Sequence, residues 1–359
     1  MNEAKMSVVM TCYNQAEYIR KAVESVLAQK TDFGVRLIIA DDNSTKDDSR
    51  RVIGELAAEH PDRIVALLNT ENGRYLKNVL RAMAEVRTEY FTLLDADDYW
   101  TDDGFLQSAH DFLEANREHA IYCRNVTCLH PDGTSHPWVP ESFGDCEMSM
   151  EDYYRAPYIM SQTLGMVFRN VVYGAGVPEF MESVVGGVHE RPFEGDRARF
   201  LMHLRLGKAH FTNRSAGVYR ILASGIWCRL SPFEKKLMQA RGQASFALYF
   251  TDNPSFWVCC AYRDLSEALS LLPSHLKAGG RLDDSMRASL AESADWIAEN
   301  RSLLDDRAVM DRGEWLSMHC RGRVARRASG GGLLDKWRYK LWKHLGKRLG
   351  LDEIRGKAK

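Results

Sequence analysis

An α/β fold with a mainly parallel central sheet and helices on both faces is predicted by three observations. Short apolar runs alternate with amphipathic helical segments through the first 125 residues. Each run is four or five residues long, the length of a buried strand rather than a helix. Three of the runs end in clusters of polar residues. Alternating strand and helix patterns give parallel sheets, and such sheets bind ligands beyond the carboxyl ends of their strands.

Taken in order, Ser7-Val8-Val9-Met10-Thr11 fits a buried strand. Glu17 to Gln29 follows, with Ile19, Val23, Val26 and Leu27 on one helical face. Leu37-Ile38-Ile39-Ala40 is a second strand and Asp47 to His60 a second helix. Ile64 to Leu68, Lys77 to Arg87 and Tyr90 to Leu94 continue the series. From Thr127 to Glu190 the periodicity weakens around Pro131, Pro137, Pro140 and Pro157, which predicts loops and short strands. Asp196 to Leu206 reads as a helix, Lys208 to Phe211 and Ala216 to Tyr219 as short strands. Beyond Pro232 the pattern is helical to about Cys320, and Ser329-Gly330-Gly331-Gly332 has the composition of a flexible linker.

The polar clusters are Thr11-Cys12-Tyr13-Asn14, Asp41-Asp42-Asn43-Ser44 and Asp95-Ala96-Asp97-Asp98. The last puts three carboxylates in four residues at the tip of an apolar run, which is costly unless a cation neutralises them. Carboxylate oxygens suit Mg²⁺ or Mn²⁺, ions that commonly sit beside phosphates. A solvated loop or a helix N-cap also accommodates such residues.

Composition narrows the class. The 359 residues are 45% hydrophobic, enough for one large α/β domain with an appendage. No run reaches the roughly 18 to 20 apolar residues of a membrane span. Met1 to Lys5 lacks a signal-peptide apolar region, and the eight cysteines have no CxxC pairing, so reduced thiols in the cytoplasm are expected. The net charge of −1 hides an asymmetry. Residues 321–359 carry 13 Lys/Arg against 3 Asp/Glu, while the other 320 residues carry 35 against 46.

These motifs resemble the family 2 glycosyltransferases, which have the GT-A, Rossmann-like fold. The opening strand and Tyr13-Asn14 turn, the Ala40-Asp41-Asp42-Asn43-Ser44-Thr45 turn, Asn72-Gly73 with Lys77-Asn78, and Asp95-Ala96-Asp97 occur in the family's order over residues 6 to 116. The resemblance implies a nucleotide-sugar site formed by Thr11, Tyr13, Asp41, Asp42, Lys77, Asp95 and Ala96. Tyr13 would offer its ring to the nucleobase and Asp42 would accept a hydrogen bond from that base. Either Asp41 or Asp42 also suits a helix cap, and Lys77 a solvated helix terminus. Asp97, with Asp95, would hold a divalent metal, Mn²⁺ or Mg²⁺. Asp98 is less defined and suits a cap. The family supplies a general base from a carboxylate opening a later helix, which matches Glu194-Gly195-Asp196; Asp196 is the implied base, with Glu194 and Glu190 as fallbacks. Family 2 enzymes are inverting. A common Tyr-Arg-x-His segment departs here, since Tyr219-Arg220-Ile221-Leu222 places Leu222 at the His position; His189 or His210 could fill in.

The expected organisation is a GT-A catalytic domain over 1–228, divided near 125 into nucleotide-sugar-binding and acceptor halves. A helical region over 229–328, the linker 329–332 and a basic amphipathic tail over 333–359 follow. In that tail Leu334, Trp337, Leu341 and Leu345 recur at helical spacing among Lys336, Arg338, Lys340, Lys343, Lys347 and Arg348. Residues 333–349 therefore read as an interfacial helix on an anionic membrane, each basic residue adding about 1 kcal/mol. Docking on the acidic body is the other reading. The expected function is transfer from a nucleotide-diphosphate sugar, UDP-sugar favoured, to a saccharide or lipid-linked acceptor in bacterial surface-polysaccharide synthesis at the inner membrane face. No nucleic-acid partner is expected, because the basic charge is confined to the tail. A haloacid-dehalogenase-like phosphatase would also place Asp-x-Asp after a strand, but Tyr99 stands where Thr or Val is expected. A receiver domain would need its Asp pair after the first strand. A nucleotidyltransferase would need a Gly-rich loop absent from Thr11 to Tyr18.

Overall fold

A computed structural model describes residues 3–155, 157–159, 161–186 and 193–305. The first half is the expected alternation. Strand β1 (Ala4–Cys12) leads to helix α1 (Ala16–Leu27), β2 (Gly34–Asp41), α2 (Ser49–Glu59), β3 (Ile64–Leu68), α3 (Arg74–Met83) and β4 (Tyr90–Leu93). Met6 to Cys12 are all buried, without the in–out alternation of a half-exposed strand, because β1 has a strand on each side and helices on both faces. Helix α1 buries Ile19, Ala22, Val23 and Val26, the i, i+3, i+4, i+7 stripe read from the sequence. Helix α3 starts three residues earlier than its pattern suggested, at Arg74.

The chain continues through β5 (Tyr99–Trp100), α4 (Phe105–Ala115), β6 (His119–Leu129), β7 (Ser135–Pro137), β8 (Cys146–Met148), α5 (Met150–Arg155), β9 (Met166–Arg169), α6 (Glu179–Val184), α7 (Gly195–Leu204) and β10 (Lys208–Arg220). The sheet runs in the order β3-β2-β1-β4-β9-β6-β10-β5, with β7 on β6 and β8 on β10. Strands β3, β2, β1 and β4 are parallel; β9 is antiparallel to both β4 and β6. The chain leaves β1 toward β2 and β3, then returns to β4 on the other side. That reversal opens a crevice at the carboxyl end of β1.

The two short strands expected over 208–219 are one strand, β10. The polar run Thr212-Asn213-Arg214-Ser215 is a register irregularity against β6, not a break. The Asn213 side-chain amide donates to the Pro140 carbonyl at 3.0 Å, so the bulged residue is held by a neighbouring loop. At Gly217 a Cβ would lie 2.4 Å from the Tyr99 carbonyl oxygen. Glycine there lets β5 approach β10 and brings Asp98 to the end of that strand.

Described residues 3–153, 157–159, 161–186 and 195–223 form one compact unit; 154–155, 193–194 and 224–305 form a second. The second is helical: α8 (Pro232–Tyr249), α9 (Pro254–Lys277) and α10 (Asp284–Glu299). Ser231 and Glu234 close a capping box at the start of α8, with Pro232 in its first turn. Phe233, Leu237, Ala261, Leu265, Ala268, Leu272, Leu290 and Ile297 share its core. The expected linker 329–332 and tail 333–359 lie outside the described residues, as does the end of the expected helical region.

Candidate active site

The loops after β1 and β2 are tied to one another. Asn14 and Asn43 adopt left-handed backbone, at φ 53° and 58°, a conformation asparagine tolerates better than most residues. The Asn14 side-chain carbonyl accepts from the Thr45 and Lys46 amides at 3.1 and 3.0 Å, and its own amide donates to Ser44 Oγ at 2.7 Å. Between them Tyr13 is 44% exposed, its ring open to solvent and free of core packing.

The adjacent aspartates have different surroundings. Asp41 is fully buried; its Oδ2 accepts from the Ser44 amide at 3.0 Å and pairs with Arg50 Nη1 at 2.7 Å, while Oδ1 has no partner. Asp42 continues the ladder, its amide donating to the Cys12 carbonyl at 2.9 Å. Its Oδ1 accepts from the Gly73 amide at 2.7 Å, so the carboxylate bridges the β2 loop and the start of α3. Burial raises its pKa and the Gly73 and Arg74 amides oppose the rise. Neither aspartate caps α2, whose N-cap position is Asp48.

The acidic stretch lies on the other side of the β1 terminus. The Ala96 amide donates to the Thr11 carbonyl at 3.1 Å, and Thr11 Oγ1 donates to Asp95 Oδ1 at 2.7 Å. Burial, then the Asp97 charge, pushes the Asp95 pKa up to about 6, against the Thr11 hydrogen bond and the Arg199 charge. Asp97 is raised mainly by burial, with Arg220 and the Gln15 side chain opposing. Asp98 is buried and turned away: its Oδ1 accepts from the Arg220 amide at 2.8 Å, and the Arg220 guanidinium donates to the Asp97 carbonyl. That guanidinium also lies over the Tyr99 and Tyr18 rings, 4.6 and 5.1 Å from their centroids. Asp98 thus fastens the acidic turn to β10 rather than capping a helix.

The proposed base enters from α7. Gly195, first residue of that helix, is packed so that a Cβ would sit 3.2 Å from Leu76 Cδ1 of α3. The close approach sets Asp196 beside the preceding α3 residue, Tyr75. Charges of Asp95, Asp97, Asp196 and Arg199 all act on the Tyr75 phenol, whose pKa is raised well above its usual value chiefly by burial. The Asp196 Oδ1 accepts from the Arg197 amide at 2.9 Å. Hence the acidic turn and the α7 carboxylate face one crevice, as a donor on one side and an acceptor on the other require.

Comparison with known proteins agrees with this geometry. Residues 7–172 match the family model described as glycosyl transferase family 2. The chain belongs to that family. It is 30% identical to an uncharacterized protein of Mycobacterium tuberculosis over 242 residues, covering 67% of this chain and 66% of that one. It is 38% identical over 95 residues to the teichoic acid poly(glycerol phosphate) polymerase of Staphylococcus epidermidis, covering 26% of this chain and 13% of the polymerase. Among solved structures, Staphylococcus aureus TarS 1–349 in complex with UDP-GlcNAc superposes with a TM-score of 0.57 at 14% identity, covering 88% of this chain and 92% of TarS. At that identity the likeness shows the shared α/β glycosyltransferase fold. The phosphatase and nucleotidyltransferase alternatives gain no support from these matches.

As a family 2 member the chain departs from expectation at two side chains. Lys77 Nζ pairs with Glu71 Oε1 at 3.0 Å on the surface, which is where the structure leaves it. His210 does not take the place of the missing histidine. It lies ten residues before Arg220 on extended β10, about 30 Å at the usual rise per residue, and stacks on Phe112 at 4.2 Å. His189 and Glu190 lie outside the described residues, and Glu194 belongs to the second compact unit. For a divalent ion the fit is therefore two carboxylates. Asp97 and Asp95 offer hard oxygens, and among the described residues no group of three His, Cys, Asp or Glu converges. One or two carboxylates completed by phosphate oxygens and water is a usual Mg²⁺ arrangement. The reading from sequence missed Tyr75, Arg199 and Gln15. For Arg199 a signal existed, a charge set among Ala198, Phe200 and Leu201 on a helix that buries nearly every residue.

Proposed function

We propose that this protein is an inverting, metal-dependent glycosyltransferase that moves a sugar from a nucleotide diphosphate to the hydroxyl of a saccharide or lipid-linked acceptor. The observation that carries the reading is the convergence of Asp95, Asp97 and Asp196 on Tyr75 at the carboxyl edge of β1. Tyr13 stacks on the nucleobase and Asp42, held by Gly73, accepts a hydrogen bond from it. Asp97 and Asp95 would hold Mn²⁺ or Mg²⁺, which supplies electrostatic stabilisation to the departing diphosphate. Asp196 takes the proton of the acceptor hydroxyl as its oxygen attacks the anomeric carbon and the bond to the diphosphate breaks. One displacement inverts that carbon.

UDP-sugars are the donors to try first, since the TarS structure holds UDP-GlcNAc. The match to a teichoic acid polymerase supports a place in surface-polymer synthesis. No helix among the described residues is long and apolar enough to cross a membrane. The basic residues 333–349 would hold the enzyme against the anionic cytoplasmic face. A panel of UDP-, GDP- and dTDP-sugars with Mn²⁺ tests the reading by donor binding and slow hydrolysis. Phosphate release from simple monoesters without any nucleotide-sugar binding would refute it.

A further inference from the structure

Arg199 is 1% exposed, and two of its guanidinium nitrogens, Nε and Nη2, have no hydrogen-bond partner. A buried guanidinium is strongly disfavoured unless charge compensates it. Here the compensation is the acidic crevice. The Arg199 charge acts on Asp95 and on the Tyr75 phenol, where the charges of Asp97 and Asp196 also meet. Arg199 stands one turn beyond Asp196 on α7, a spacing that puts the two on neighbouring parts of the helix surface. Its backbone is fixed as well, the Arg199 carbonyl lying 2.7 Å from His203 Nδ1. That histidine is fully buried; burial and the Arg199 charge both push its pKa down, to about 3, so it stays neutral. No second positive charge from His203 therefore competes with Arg199.

We propose that Arg199 is a fixed internal cation of the donor site, a positioning residue whose buried guanidinium steadies the Asp95 and Asp196 carboxylates and adds positive charge where a nucleotide diphosphate is held. This rests on the proposed function for its ligand, but not for its electrostatics. The crevice with Arg199 in place binds a bare divalent ion more weakly, and a diphosphate more tightly, than its carboxylates alone would. It also explains how two carboxylates suffice where Leu222 has replaced a histidine: part of the neutralising charge is built into the helix that carries the base.

The test compares wild type with Arg199→Met, which keeps an unbranched side chain without the charge. Free Mn²⁺ is read by electron paramagnetic resonance, with MnCl₂ as the only ligand. UDP and GDP are titrated calorimetrically in EDTA. Loss of one buried charge at short range changes each affinity by roughly tenfold or more. Arg199→Met should bind Mn²⁺ tighter and the metal-free nucleotide weaker, and Arg199→Lys should return both toward wild type. A packing role alone would weaken both together or change neither, and either result overturns the proposal. If Arg199→Met does not fold, Asp95→Asn reads the coupling from the other side. With that carboxylate neutral, metal-free nucleotide should bind tighter; unchanged or weaker binding overturns it. If wild type binds neither nucleotide, the proposed function fails while the Mn²⁺ comparison still decides the role of Arg199.

Discussion

The rim around Tyr13 and the start of α7 hold their functional side chains by different means. At the rim, directed hydrogen bonds link separate loops: Asn14 to Thr45 and Lys46, Asp42 to Gly73, Thr11 to Asp95. At α7, Asp196 is placed by a close glycine contact and accepts the next residue's amide, while a guanidinium with two unpartnered nitrogens lies a turn away. The rim is preorganised for a ligand of fixed shape, the nucleotide. The α7 side leaves the Asp196 carboxylate for a proton and sets its surroundings through charge. Binding and proton transfer should therefore separate cleanly under mutation.

Asp196→Asn gives the largest effect, on one side only. Removing a general base costs roughly 10²- to 10⁴-fold in rate, so transfer should fall by that range while donor affinity, measured by calorimetry, stays within about threefold. Equal loss of both would merge the two regions. At the rim, Thr11→Val removes one hydrogen bond to Asp95 at constant shape. The loss is about 1 kcal/mol, seen as about fivefold weaker donor binding at unchanged kcat.

Acidification should act on the metal-binding carboxylates. Asp95, with a pKa near 6, is ionised above that value and takes up a proton below it. Mn²⁺ affinity should hold from pH 8 to 7 and fall up to about tenfold per unit below pH 6, each protonation costing about 1.4 kcal/mol per unit. Affinity flat down to pH 5 would mean that Asp95 takes no part. Lys77→Met is the smallest perturbation. An exposed pair such as Lys77–Glu71 contributes about 0 to 1 kcal/mol, so donor affinity should change less than about twofold; a tenfold loss would return Lys77 to the phosphates.

Much of the donor side was legible because its chemistry is local. Strand length, the abrupt ends of apolar runs and three polar clusters locate the edge, and a parallel sheet brings such ends together. The second half was harder for physical reasons. Strand β10 looked like two strands because a bulge carries polar residues that pair with a distant loop, a partnership no periodicity reports. Asp41 and Asp42 are neighbours in sequence, yet one meets Arg50 and the other Gly73, which depends on tertiary placement. His210 could be proposed as a ligand only while its distance along β10 was unknown. Arg199 shows as a charge in an apolar helix, but what compensates it emerges only when α3 and α7 meet.

The most direct test of the account is calorimetric titration of UDP-, GDP- and dTDP-sugars into wild type and Asp97→Asn, each with Mn²⁺ and with EDTA. One nucleotide sugar should bind wild type with Mn²⁺, and its affinity should drop roughly a hundredfold in Asp97→Asn, as removal of a metal-held charge implies. Binding that is indifferent to Mn²⁺ and to Asp97, or no binding by any member of the panel, would contradict it.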